Sequence, residues 1–357
     1  MNNLSTTANK NTNVLELIDK LTVTHSLTSA EYALLVDGQC AEAERYAAKL
    51  ADCARRKYYG NAVYIRGLIE IGNVCRNDCL YCGIRKSNKS CERYVLTDEQ
   101  ILDSCRNGYA LGFRTFVLQG GEGVITVDRI CSVVRRIRET YPDCAITLSL
   151  GEYDRADYQK MFDSGANRYL LRHETADPRH YSRIHPPEMS FENRIRCLYD
   201  LRDIGFQVGC GFMVGSPYQT TESLAMDLKF IEDFSPDMCG VGPFIPQKDT
   251  PFGNYSAGSA EKTIYLLSLI RLIKPNILLP ATTALGTIEI GGRERGIAAG
   301  ANVVMPNLSP ESERKKYALY DNKLSTGAES AEHLEMLKKS VAAIGYEIDS
   351  SRGDIIK

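Results

Sequence analysis

Three cysteines in the segment NVCRNDCLYCGIR, at Cys75, Cys79 and Cys82, stand close enough in the chain to present three thiolates to one metal centre. Structural zinc takes four protein ligands, commonly as two short pairs separated by a longer loop. Here a second CxxC pair is missing. Cys91, nine residues on in KSCERY, is the nearby thiol that could close a zinc site or an ordinary four-thiolate cluster. Three thiolates on a four-iron cluster would instead leave one iron able to bind something else, and an open iron is a place for chemistry.

The elements around this loop are those of an enzyme scaffold. Strand-like runs are expected at Ala62–Ile71, Thr115–Gln119, Ala145–Leu150, Arg168–His173, Gln207–Val214, Met238–Phe244, Ile277–Ala281 and Asn302–Met305. Amphipathic stretches alternate with them: Thr97–Leu111, Val127–Tyr141, Arg155–Ser164, Phe191–Ile204, Thr221–Phe234, Ala260–Ile273 and the short Gly292–Ala299. Eight strand–helix units predict an α/β fold of the (βα)8 TIM-barrel type, which takes about 250 residues. The expected division is an N-terminal helical extension over residues 1–58, the barrel over 59–310 and a C-terminal extension over 311–357 containing a helix at Ala328–Ile344. LTSAEYALLV carries a Ser/Thr cap signal with an early Glu, so the N-terminal extension should contain a capped helix.

Each expected strand ends in residues that packing alone would not choose: the cysteine loop, QGGEG, LSLGE, RHET, MVGSP, GPFIP, ATTALGT and MPN. In such a barrel the site lies at the C-terminal strand ends, so the eight ends would ring one site. Strand parity puts Arg172 and Glu174 on one face, and Thr147 with Ser149. Gly209 and Gly211 should open space beside them. A polar, hollow cavity follows, suited to a charged or metal-bearing ligand.

Other chemistries find little support. The chain has 357 residues, a formal net charge of −2 and 12 cysteines. That charge gives no reason to expect nucleic acid or an anionic membrane as partner. No export signal and no membrane-spanning run is seen, so the thiols point to a reducing compartment, the cytoplasm, rather than disulfides. Cys53, Cys105, Cys131, Cys144, Cys197, Cys210 and Cys239 read as small buried thiols. There is no GxGxxG, Walker loop or GxSxG elbow. His173, His180 and His185 cluster in sequence, but HPP at His185 reads as a turn and not as a second metal site.

CxxxCxxC with Tyr81 before its last cysteine resembles the cluster loop of the radical S-adenosylmethionine (radical SAM) superfamily. Longer segments resemble, in order from about Tyr59 to Tyr320, the HydE-type FeFe-hydrogenase maturases within it: YGNAVYIRGLIEIGNVCRNDCLYCGIRKSN, FVLQGGE, ITLSLGE, RYLLRHETADP, SFENRIRCL, MVGSPYQT, GVGPFIPQKDTP, LLPATTALGT and GANVVMPN. The resemblance implies that Cys75, Cys79 and Cys82 hold a 4Fe–4S cluster. It implies that Ser149, Glu174 and Arg194 hold S-adenosylmethionine, with Gly120, Gly121 and Glu122 meeting its amino group and Tyr81 near adenine. Thr147, Arg172, Thr282 and Thr283 are the candidates for a deeper substrate cavity.

The implied activity is formation of a 5′-deoxyadenosyl radical that acts in assembling the hydrogenase di-iron cofactor, on a cysteine-ligated iron species carrying CO and cyanide. The implied partners are a low-potential electron donor, that organometallic iron or another small molecule, and other hydrogenase maturation proteins. Some members of that family carry a further cysteine cluster after the barrel. Here no cysteine follows Cys239, and YDNKLSTGAESAEHLE has Ser325 and acids instead. Two alternatives stand beside this reading. One is a radical mutase or synthase on a small metabolite, of the methylornithine synthase or biotin synthase type. The other is a non-catalytic iron or zinc carrier, which would have no use for eight polar strand ends.

Overall fold

The computed structural model describes residues 2–324 and 327–356, so Ser325 lies outside the described residues. Its N-terminal part is three helices, α1 (Asn2–Thr24), α2 (Ser29–Asp37) and α3 (Ala41–Tyr59). α2 begins with the expected capping box. The Thr28 hydroxyl accepts from Glu31 N–H, and the Glu31 carboxylate accepts from Thr28 N–H.

The expected first strand is split at Arg66 into β1 (Ala62–Ile65) and β2 (Gly67–Gly72). β3 (Thr115–Gly120), β4 (Ala145–Ser149), β5 (Arg168–Leu170), β6 (Gln207–Cys210), β7 (Met213–Val214), β8 (Met238–Cys239), β9 (Gly242–Pro243), β10 (Val303–Val304) and β11 (Glu347–Asp349) follow. Helices α4 (Asp98–Ala110), α5 (Val127–Thr140), α6 (Arg155–Asp163), α7 (Pro178–Ile184), α8 (Phe191–Ile204), α9 (Thr221–Phe234), α10 (Ala260–Ile273), α11 (Thr283–Ile288), α12 (Gly292–Ala298), α13 (Glu311–Arg314) and α14 (Leu334–Ala343) complete the order.

The result is an α/β fold around parallel strands. One sheet runs β2-β3-β4-β5-β6-β8, a second β10-β1-β11 and a third β7-β9. Single parallel bridges extend the pairing, Met238 with Leu278, Pro280 with Val303 and Leu68 with Asn307. Parallel strands buried on both faces read as continuous apolar runs, and β2 is buried along its whole length, Glu70 included. α5 packs Ile130, Val133, Val134 and Ile137 inward at helical spacing. α3 lies on α10 and α2 on α9, where Tyr32 OH donates to Glu232 at 2.7 Å.

Several expected strands are interrupted near their C-terminal ends. β5 stops at Leu170, but backbone pairing resumes where Glu174 N–H donates to Gly211 O at 2.9 Å. Ile277–Ala281 is reduced to bridges, and Pro280 has no N–H to give. Gly209 and Gly211 do not open space. A Cβ at Gly211 would come 2.1 Å from Gly240 O, and one at Gly209 2.6 Å from Leu170 Cδ1. The missing side chains let neighbouring strands close up.

The C-terminal segment also differs from expectation. Its helix is only Leu334–Ala343, after two 3-10 turns, and it ends at Gly345 with φ +83°. β11 then pairs in parallel with β1, Ala62 opposite Glu347. Cys53 is exposed, whereas Cys105, Cys131, Cys144, Cys197, Cys210 and Cys239 are buried.

Candidate active site

The strand ends surround a cavity of about 290 Å³. The loop after β2 delivers Cys75, Cys79 and Cys82 to it, with Tyr81. The loop is shaped by its own carbonyls. Arg93, just beyond it, donates to the carbonyls of Asn73, Ile84, Arg85 and Asn88 at 2.6 to 3.0 Å. Burial pushes all three thiols up, Cys82 to about 12. A metal that binds them as thiolates must displace those protons. Cys79 Sγ also lies 3.6 Å from Met189 Sδ.

Cys91 does not line the cavity; its sulfur lies 3.5 Å from Asn73 Nδ2. Among the described residues no three His, Cys, Asp or Glu side chains converge on a point that could hold a single metal ion. A zinc ion would need its thiolate donors all about 2.3 Å away, whereas a four-iron cube spreads its ligands over its corners.

The turn after β3 is fitted to this loop. Gly121 N–H donates to Gly72 O at 3.1 Å, and Arg76 N–H donates to Glu122 O at 2.9 Å. A Cβ on Gly121 would fall 2.1 Å from Val74 O and 2.9 Å from Cys75 Cβ, so only glycine permits the approach. Gly120 and Glu122 line the cavity as well. The Glu122 carboxylate accepts two hydrogen bonds from Arg76, at 3.0 and 2.8 Å.

Ser149, ending β4, opens onto the cavity. Gly151, at φ +89°, then wraps against the Glu122 carboxyl, and its carbonyl accepts from both Tyr158 OH and Tyr169 OH. Arg194 projects from α8. Its Nε lies 2.7 Å from Glu152 Oε1 and its Nη2 3.9 Å from Glu122 Oε2. Burial opposes its charge, but the Glu152, Tyr181 and Glu122 groups outweigh this and hold the guanidinium protonated.

Parity at RHET is as expected, with Arg172 and Glu174 on the cavity and His173 turned away. His173 Nε2 meets Asp227 Oδ1 at 3.2 Å, and burial drives its pKa down to about 3. Glu174 has φ +66°, a rare conformation for a residue with a Cβ, held by the bonds to Gly211 and Met213. Arg172 Nη2 and Glu174 Oε2 are 3.0 Å apart without hydrogen-bond alignment. Arg172 and Glu174 thus pair by charge, while Arg172 Nε and Thr282 Oγ1 are buried with no hydrogen-bond partner.

A charged pair beside donors and a hydroxyl left without hydrogen bonds suits a ligand carrying both charges and hydroxyls, because leaving buried polar atoms unsatisfied is costly. S-adenosylmethionine is such a ligand. The residues present therefore fit the pair of groups implied by the cysteine loop.

Thr147 and Thr283 do not line the cavity. Thr147 is buried two residues back along β4, and Thr283 opens α11 with its hydroxyl donating to Glu329 at 2.8 Å. The three histidines separate. His180 meets Pro217 O at 3.1 Å, and His185 meets Tyr181 O and Tyr81 OH, each at 3.0 Å.

Sequence reasoning gave no role to Arg76, Gln119, Tyr317, Leu319 or Tyr320. The last three enter from beyond the expected barrel and form one wall of the cavity. Gly83 N–H donates to Leu319 O at 2.9 Å. Lys323 ties this segment down through an ion pair with the fully buried Glu70, whose second oxygen accepts from Asn307 at 2.9 Å.

Comparisons with known proteins bear on the family and the fold. Residues 69–231 match the Radical SAM superfamily. The FeFe-hydrogenase maturase subunit HydE of Thermotoga maritima is 44% identical over 298 residues, 83% of this chain and 85% of that protein. A 3-methylornithine synthase of Methanosarcina barkeri is 29% identical, over 86% of this chain and 87% of that one.

Among solved structures, methylornithine synthase (PylB) superposes with a TM-score of 0.83 at 27% identity, covering 93% of this chain and 97% of that one. The maturase HydG superposes at 0.79 with 20% identity, covering 95% and 76%, a likeness of fold alone. The chain belongs to the radical SAM superfamily, among its HydE-type FeFe-hydrogenase maturases, enzymes that work with a 4Fe–4S cluster and S-adenosylmethionine.

Proposed function

We propose that Cys75, Cys79 and Cys82 hold the 4Fe–4S cluster and that the enzyme acts on a cysteine-ligated iron species carrying CO and cyanide, during assembly of the hydrogenase di-iron cofactor. The observation that carries this reading is the meeting, in one cavity, of three thiols with the Arg172–Glu174 ion pair and the unsatisfied Arg172 Nε and Thr282 Oγ1. When bound, the cluster supplies the electron that cleaves S-adenosylmethionine to a 5′-deoxyadenosyl radical.

The protein's part is to bind, orient and exclude water. Arg194 offers a fixed fork of donors to a carboxylate, and Glu174 and Ser149 offer acceptors to ribose hydroxyls or an ammonium. The GGE turn presents backbone to the amino group, and Tyr81 flanks adenine. Arg172 and Thr282 face the substrate. Tyr317 and Tyr320 line one wall of the cavity and reduce the water in contact with the radical.

In this reading residues 59–310 form a closed (βα)8 barrel, supported by the bridges at Leu278, Pro280 and Asn307. Residues 1–58 and 311–357 are extensions, the second completing the wall. The setting is a reducing cytoplasm, with a low-potential electron donor and the other maturation proteins as partners. No helix among the described residues is long and apolar enough to cross a membrane.

Anaerobic reconstitution should give about four irons per chain and an EPR signal that changes on adding S-adenosylmethionine. Cys79→Ala should abolish 5′-deoxyadenosine formation, and the purified enzyme with the other factors should activate apo-hydrogenase. Colourless protein with stoichiometric zinc defeats the cluster. The close superposition on methylornithine synthase favours a second reading, a mutase on an amino-acid-like metabolite. 5′-Deoxyadenosine production with no hydrogenase activation would select it.

A further inference from the structure

His173 stands in the chain between the two cavity residues Arg172 and Glu174, yet it does not line the cavity. It is fully buried, and both of its ring nitrogens are engaged. Nδ1 lies 3.3 Å from Gly211 N, a backbone N–H that can only donate. The ring proton therefore sits on Nε2, which gives it to Asp227 Oδ1 at 3.2 Å.

Asp227 is fully buried on α9. Its Oδ1 also accepts from Ala176 N–H at 2.5 Å, and its Oδ2 has no partner among the described residues. The hydrogen bonds of this carboxyl thus go to the segment that carries Glu174. Burying an acidic side chain is costly, and packing alone would put an apolar residue there. One turn earlier on α9, Ser223 donates to Asp177 at 2.9 Å, so the helix grips both ends of residues 173–177.

Glu174 needs such a grip. Its φ of +66° is strained for a residue with a Cβ and persists only where the surroundings over-determine it. Gly211 is shared between the two neighbours: its carbonyl accepts from Glu174 N–H at 2.9 Å, and its N–H donates to the His173 ring. One glycine thus ties the buried ring to the backbone that aims the Glu174 carboxylate.

We infer that His173 and Asp227 are positioning residues for S-adenosylmethionine, holding Glu174 in its left-handed conformation with the carboxylate ready for the ligand's ribose hydroxyls. The inference rests on the assignment of Glu174 to that ligand. Neither residue touches the ligand. What the pair supplies is pre-organisation, which is read as affinity rather than as rate.

The test titrates reconstituted holoenzyme with S-adenosylmethionine and reads Kd from the EPR change of the reduced cluster. His173→Phe keeps a ring against Phe230, whose centroid is 4.7 Å away, and removes both hydrogen bonds. It should raise Kd on the order of tenfold, with iron content and the saturated rate of 5′-deoxyadenosine formation retained. Asp227→Asn, which keeps Oδ1 as an acceptor, should hold Kd within about twofold of wild type.

A double-mutant cycle with Glu174→Gln decides the matter. Adding His173→Phe to Glu174→Gln should cost little more affinity, because both changes act on one contact. Fully additive losses overturn the inference, as does a wild-type Kd in His173→Phe. Should His173→Phe hold no iron, His173→Gln runs the same cycle, keeping a donor for Asp227 and losing the acceptor for Gly211. Loss of iron there too would make the pair structural and overturn the inference. A Glu174→Gln enzyme that binds S-adenosylmethionine like wild type would instead overturn the assignment beneath it.

Discussion

Arg194 is held between two carboxylates before any ligand arrives. Its charge is therefore already balanced, and what it offers a ligand is direction rather than net attraction. Arg194→Ala should raise the S-adenosylmethionine Kd by about ten- to a hundredfold, the worth of one charge-assisted hydrogen bond, with iron content unchanged in a metal assay. Loss of iron would mean that the side chain supports the cluster loop.

His185 offers a different test. Burial lowers its pKa to about 3, so the folded chain keeps it neutral while the unfolded chain protonates it below about 6.5. Its contribution to stability is complete above that pH and is lost as pH falls toward 3. Between pH 7 and 5 it should cost roughly 2 kcal/mol. Denaturant midpoints should therefore fall less steeply over that range in His185→Gln than in wild type.

At the scale of elements, the glycine turn after β3 is a fitted surface. Gly121→Ala would drive a Cβ into the Val74 carbonyl, a backbone atom that cannot swing aside. Expected effects are a loss of roughly 1–3 kcal/mol by thermal denaturation and a lower iron-to-protein ratio after gel filtration.

The sequence carried the cysteine loop, the alternation of elements and the parity of Arg172 with Glu174, because spacing alone fixes each. It misled where register and neighbours decide. Gly209 and Gly211 looked like voids but are points of contact between strands. Thr283 looked like a strand end but opens a helix. Tyr317 and Tyr320 carry no local signal at all. They reach the cavity through Lys323, Glu70 and Asn307, which are far apart in the chain. Lys323→Ala should loosen this wall, read as faster amide exchange at 317–323 with the cluster retained.

Taken whole, the molecule joins its first strands to its last segments: β11 lies beside β1, Asp354 meets the buried Arg168 at 2.6 Å, and Leu319 is bonded to Gly83. The three thiols lie more than two hundred residues upstream of the tyrosine wall that adjoins their loop and of the strand beside β1. A nascent chain halted at residue 310 would have its thiols in place and still lack the side of the cavity that Tyr317, Leu319 and Tyr320 supply. The pocket around the sulfurs is thus finished only once residues 317–323 have been made and anchored to Glu70.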